Sequence, residues 1–407
     1  MMRKLPQARD RGTFGVMIAA VALVTSAHTA AMPFLPEFAA RSSEVGPGGH
    51  VRHVAALTVA FPAAALITAP IWGWASDRAG SRLLLVASVA CFGSAALFFG
   101  QGGLKGLYLA RFALGVAFAS IITIAFAVTA ASATGCVERA RRFAWLTASM
   151  FFGDLIGPLL GEGSRMLGAS SPLTIMAILI VPLLIGVGAV PLPHPSTREI
   201  APAKAAGTTR SKGFVSLLLV AIVAGAGLAT LHVLLLLSEQ PGGLTRQAVS
   251  LTLSGCGVGM LAAQLGYSRG RRLAQHARGI IRPTLLLFVG SIVAAAYLNN
   301  TLLLSVAVFI AGWTAATLRL VTSYLVSRID RHRMGFWLGL NQSATSLGQT
   351  AAPLVIAGFG VAGREVVLII LAAATIFLVL IGWRLTPRPR PQAPSVAATA
   401  RDWAPRR

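Results

Sequence analysis

Twelve stretches of about 20 apolar residues follow one another along the chain, each long enough to cross a bilayer's hydrocarbon core as a helix. They run Thr13–Leu35, Val54–Trp74, Leu83–Gly100, Leu107–Ala130, Phe143–Met166 and Pro172–Leu192, then Phe214–Leu237, Val249–Tyr267, Pro283–Leu298, Thr301–Val326, Met334–Gly358 and Val366–Trp383. Lipid offers no partner to a bare backbone, so the stretches must be helices; a barrel would show short alternating segments. The first is too long for a cleaved signal peptide and lacks a small-residue cleavage site. Short connections containing Gly, Pro or Arg make most sequential helices antiparallel neighbours. The expected fold is an all-α membrane protein.

Charge gives the orientation. The chain carries 35 Lys and Arg against 12 Asp and Glu, a net +23, yet only 12% of its residues are charged and its mean hydropathy is +0.74. That balance excludes a disordered acidic chain and argues against a nucleic-acid binder. With both termini placed in the cytoplasm, 27 basic residues fall inside, including Arg78, Arg82, Arg139, Arg141 and Arg142, and six fall outside. Such a bias is a positive-inside signal. A multi-pass protein of a cytoplasmic membrane, in a bacterium the inner membrane, is expected. Cys91, Cys136 and Cys256 are far apart in sequence and form neither a disulfide framework nor a metal-ligand spacing.

The polar stretch Pro191–Lys212 divides the spans six and six. The expected organisation is a first bundle over 1–190, a cytoplasmic linker over 191–212, a second bundle over 213–384 and a disordered cytoplasmic tail over 385–407. The halves echo each other. Gly153-x-x-x-Gly157-Pro158-Leu159 in the fifth span lines up with Gly348-x-x-x-Ala352-Pro353-Leu354 in the eleventh, Gly115 with Gly312, and His28 with His232. Two parallel six-helix halves around a central cavity make up one large transporter layout.

The loop after the second span reads Gly73-Trp-Ala-Ser-Asp77-Arg78-Ala-Gly80-Ser81-Arg82. It resembles the major facilitator signature G-x-x-x-D-R-x-G-R-R, with Ser81 replacing a basic residue. Arg111-x-x-x-Gly115 resembles the family's intramembrane arginine motif. Gly153-x-x-x-Gly157-Pro158-x-x-Gly161 is similar to the antiporter motif G-x-x-x-G-P-x-x-G-G, with Glu162 in place of the last glycine. Met32-Pro33-Phe34-Leu35-Pro36 ends the first span as in bacterial multidrug efflux members. The resemblance covers essentially the whole chain and implies a twelve-helix major facilitator fold, closest in type to drug:proton antiporters.

It also implies roles. Gly73, Asp77, Arg78, Gly80 and Arg82 would form a conformational latch, with Asp77 meeting the N-terminal end of the eleventh helix near Met334 and Gly335; the alternative is a solvated loop. Gly153, Gly157, Pro158 and Gly161 make a smooth, kinked stripe, which the resemblance places at a tight interface between the halves; the alternative is ordinary helix packing.

Ionisable groups inside a membrane are costly and point to function. Asp154 lies about 16 Å deep, the only acid near mid-membrane, where a poorly hydrated carboxyl can exchange protons near neutrality; a permanently protonated structural Asp is the alternative. Arg111, about 6 Å from its helix end, matches Glu162 in depth better than Asp154, and an alternating pair would be a coupling device; a fixed ion pair or a snorkelling arginine is the alternative. His28 and His232 suit proton relay or substrate contact, or are neutral hydrogen-bonded histidines. Arg319, about 12 Å deep, has no evident acidic partner and could face an anionic substrate. The first span has no acid, unlike several efflux relatives.

No P-loop, metal cluster or nucleophile triad appears, so an enzyme or an ATP-driven pump has no support. The expected function is proton-coupled export of a hydrophobic or amphipathic, drug-like small molecule by alternating access, by a monomer with no cofactor beyond the proton gradient. The alternatives are an importer or dedicated exporter of an anionic, siderophore-like metabolite, and, remotely, a non-transporting membrane sensor.

Overall fold

The computed structural model describes residues 5–35, 37–38, 49–169, 171–189, 209–237, 246–298, 300–330 and 333–380. The linker from 191 to 208 and the tail from 385 to 407 lie outside the described residues. The described elements are all helical: α1 Leu5–Ala31, running on into a 3-10 turn Met32–Phe34, then α2 Gly49–Ser76, α3 Ser81–Leu97, α4 Gly103–Ser132, α5 Cys136–Met166, α6 Thr174–Ala189, α7 Thr209–Leu237, α8 Arg246–Tyr267, α9 Arg271–Tyr297, α10 Thr301–Val326 and α11 Met334–Leu380. The last run has 47 residues. At about 1.5 Å per residue it is roughly 70 Å long, over twice a membrane core of about 30 Å. It therefore contains the eleventh span and the twelfth as far as Leu380.

Local chemistry explains individual ends. Asn300 caps α10, its side-chain oxygen accepting from the backbone N–H groups of Leu302 and Leu303 at 2.9 and 3.2 Å. Inside α1, Thr25, Ser26 and Thr29 donate to carbonyls of the preceding turn, which satisfies their hydroxyls where water is scarce. Among the described residues, seven helices are long and apolar enough to cross a membrane, and three shorter apolar segments accompany them, the last being Glu365–Leu380. Leu83, Leu109, Leu159, Ile185, Leu302 and Leu380 are each well exposed; so large an apolar outer surface fits contact with lipid.

The duplication seen in sequence is repeated in packing. α5 lies against α1 where Gly153 and Gly157 meet the Ala22 and Ser26 carbonyls, and α11 lies against α7 where Gly348 meets Ile222 and Ala226. Likewise α4 meets α2 at Gly115 and Phe61, and α10 meets α8 at Gly312 and Cys256. The architecture is thus two pseudo-symmetric helical bundles, α1–α6 and α7–α11.

One expectation fails here. The glycine stripe of α5 faces α1 within its own bundle, not the other half. Small residues let two backbones approach closely, but the sequence of one helix does not say which partner approaches.

Candidate functional site

The halves meet most visibly at the end carrying Asp77, Arg139 and Arg328, the basic end. There α2 crosses α11 so closely that a methyl on Gly73 would collide with the Gly335 carbonyl, and one on Gly335 with Ser76 and Gly73. The chain then turns through Gly80, whose φ of 69° suits glycine alone. The Asp77 carboxylate accepts from the backbone N–H of Gly335 at 2.8 Å and of Phe336 at 3.0 Å. These donors open α11, where a helix N-terminus has unpaired N–H groups and a partial positive charge. Burial raises the Asp77 pKa above the ordinary aspartate value, while the Phe336 and Gly335 bonds pull the other way. Arg78 stacks 4.2 Å from the Trp74 ring centroid. Arg82 donates to the Gly188 carbonyl at the end of α6, inside its own half. A second crossing lies alongside, where Arg139 of α5 donates to the Ser327 carbonyl after α10 at 3.1 Å and Gly270 presses on Val137 and Arg141.

Deeper in the bundle is a cavity of about 70 Å³. Both halves line it: Thr25, His28, Phe61, Phe118, Met150 and Asp154 from one, and Leu228, Met260, Arg319, Thr345, Ser346 and Gln349 from the other. Asp154 and Arg319 act on each other electrostatically across it, and among the described residues no direct ion pair joins them. Arg319 Nη2 instead donates to Gln342 Oε1 at 2.7 Å, and Gln342 reaches Ser346 at 3.4 Å. Arg319, for which the sequence shows no evident acidic partner, thus shares the cavity with one. Depth along a helix is readable from sequence, but rotation about its axis is not.

The expected Arg111–Glu162 pair does not form. Glu162 is exposed on α5, whereas Arg111 is fully buried. Its Nε donates to the Leu57 carbonyl at 3.3 Å, Nη2 contacts Met32 Sδ at 3.6 Å, and its guanidinium lies 5.3 Å from the Phe61 ring centroid. Nη1 has no partner. His28 stacks on the same Phe61, 4.0 Å away between centroids, with Nδ1 also unpartnered. His232 is near enough across the halves to act on His28, though it does not line the cavity.

The uncharged polar run Asn341–Thr350 is not among the residues expected to form the site. Thr345, Ser346 and Gln349 from this run line the cavity in the second half, and Gln342 accepts from Arg319, which lines it too. A run of amides and hydroxyls within a membrane helix was the available signal.

The sequence profile of the Major Facilitator Superfamily matches residues 15–298. The chain belongs to the major facilitator superfamily. No protein of curated function matches it in sequence. Three solved facilitator structures share its fold. The human organic anion transporter MFSD10 (TETRAN) superposes with a TM-score of 0.78 at 15% identity, over 93% of this chain and 99% of that one. The proton:xylose symporter XylE, bound to 6-bromo-6-deoxy-D-glucose, gives 0.74 at 13% identity, over 94% and 96%. FucP in an outward conformation gives 0.68 at 10% identity, over 92% and 99%. As a facilitator, the chain is an integral multi-pass membrane protein. It is a secondary transporter working by alternating access, not an enzyme.

Proposed function

We propose that this facilitator is proton-coupled, that Asp154 is its coupling acid, and that it exports an amphipathic small molecule in exchange for protons. The observation that carries the reading is the cavity in which Asp154 faces Arg319 across the two halves. An arginine near an acid favours the ionised carboxylate, so separating the halves weakens that influence and changes how tightly Asp154 holds a proton. A substrate seated between them does the same. Walls such as Phe61, Phe118, Met150 and Met260 suit an apolar body, and Gln349, Thr345 and Ser346 a polar end.

The basic end faces the cytoplasm in this reading, as the positive-inside bias requires. Asp77 then acts as an inner latch, and closure at its contact with α11 accompanies access from the far side. Export rests on the resemblance of the Gly153–Gly161 segment to antiporter motifs.

Everted membrane vesicles provide the test. They are energised to an acidic interior, and a panel of amphipathic dyes and drugs is added while a pH-sensitive probe is read. A transported compound should release protons from vesicles carrying the wild-type protein and not from vesicles carrying Asp154→Asn. A normal response from the variant removes Asp154 from the coupling role. Proton movement of the opposite sign would replace export with cotransport.

A further inference from the structure

The charges around the cavity do not balance. Arg319 has Asp154 opposite it and Gln342 in contact. Arg111, completely buried, has only a carbonyl oxygen, a thioether sulfur and an aromatic face. Neither Asp nor Glu is among its partners within the described residues, and Nη1 has none at all. A guanidinium keeps its charge, and a buried cation without a counter-charge is costly. Beside it, Phe61 and His28 stack together and both line the cavity wall, and His28 carries a second buried nitrogen without a partner. Arg111 lies close enough to act on His28 electrostatically. Uncompensated positive charge and unused hydrogen-bonding capacity therefore coincide at the end of the cavity away from the basic end.

We propose that this end is an anion subsite, where His28 and Phe61 form the wall and Arg111 behind them supplies the charge, and that the transported molecule is an amphipathic organic monoanion with a carboxylate or sulfonate head. The inference rests on the cavity being the transport site and names the class of molecule it takes. The apolar walls hold the body. A cationic head is repelled by Arg111, and a neutral one gains nothing from it.

Three probes with one body and different heads test this: phenylbutyrate, phenylbutylamine and phenylbutanol. Binding of each to the purified full chain in lipid nanodiscs is measured by calorimetry. Phenylbutyrate should bind about tenfold or more tightly than the other two, the scale of one lost interaction with a buried charge. Arg111→Gln should abolish that preference, Arg111→Lys should keep most of it, and His28→Phe should reduce it. Thermal unfolding shows which variants are folded, and His28→Phe decides if Arg111→Gln is not. Equal affinities in the wild type, a preference that survives in folded Arg111→Gln, or one left undiminished in His28→Phe overturns the subsite. Asp154→Asn should lose proton movement yet retain the head-group preference, so failure of the subsite and failure of the coupling reading give separate results.

Discussion

Replacing Asp77 by Asn should open the basic end. The carboxylate accepts two backbone N–H bonds across the halves, at 2.8 and 3.0 Å. Bonds to a charged acceptor contribute about 1.5–3 kcal/mol each. Burial opposes this: the Asp77 pKa is raised, chiefly by desolvation, so holding the ionised carboxylate in place has a cost of its own. An amide offers one oxygen, carries no charge for the α11 N-terminus and sets its NH2 against one of the two donors. The net loss from the closed state is about 1–3 kcal/mol, or roughly 5–150-fold in the equilibrium between closed and open. Spin labels report it directly. Leu83 on α3 and Arg271 on α9 are both exposed near the basic end of opposite halves, and cysteines there, in a chain lacking Cys91, Cys136 and Cys256, can be labelled. Electron–electron distances in nanodiscs should gain a longer population in Asp77→Asn. Asp77→Ala should do at least as much, since it removes both acceptors. Unchanged distance distributions in both variants would refute the latch.

Other outcomes follow from the same geometry. Arg139→Ala removes the bond to the Ser327 carbonyl and should lengthen the same label distances, adding to the effect of Asp77→Asn. Gly157→Val forces side-chain atoms against Ser26 and Thr29 of α1; it should lower thermal stability by about 1–3 kcal/mol, seen as a reduced melting temperature, with or without substrate. Glu162→Gln should leave transport within about twofold of wild type, an exposed side chain with no buried partner having little effect; a large loss in vesicle assays would restore its pairing with Arg111. Gln342→Ala removes the 2.7 Å bond to Arg319 and should change the pH dependence of transport more than its maximal rate.

Much of the fold was legible because lipid leaves few choices. Apolar length alone placed the spans, and for Thr301–Val326 the expected and observed bounds coincide. α9 begins 12 residues earlier than expected, at Arg271 instead of Pro283, because Arg271, Arg272 and Arg278 read as loop although a helix can carry such charges beyond the membrane. The site was less legible. Asp154 and Arg319 were each identifiable as costly residues at known depth, but facing one another depends on helix rotation and on contact between halves. Arg111 and Glu162 show the same limit from the other side: similar depth, different faces. The glycines of α5 revealed a close approach without revealing that α1 makes it.

A pH indicator in weakly buffered solution reads the proton exchange on substrate binding that the proposed role of Asp154 entails. A compound found to be transported is added to purified protein, and proton release or uptake is counted per molecule bound. The wild type should exchange about one proton, as one titrating carboxyl requires, and Asp154→Asn none while still binding the compound. Equal exchange by the two proteins would place the coupled proton elsewhere than on Asp154.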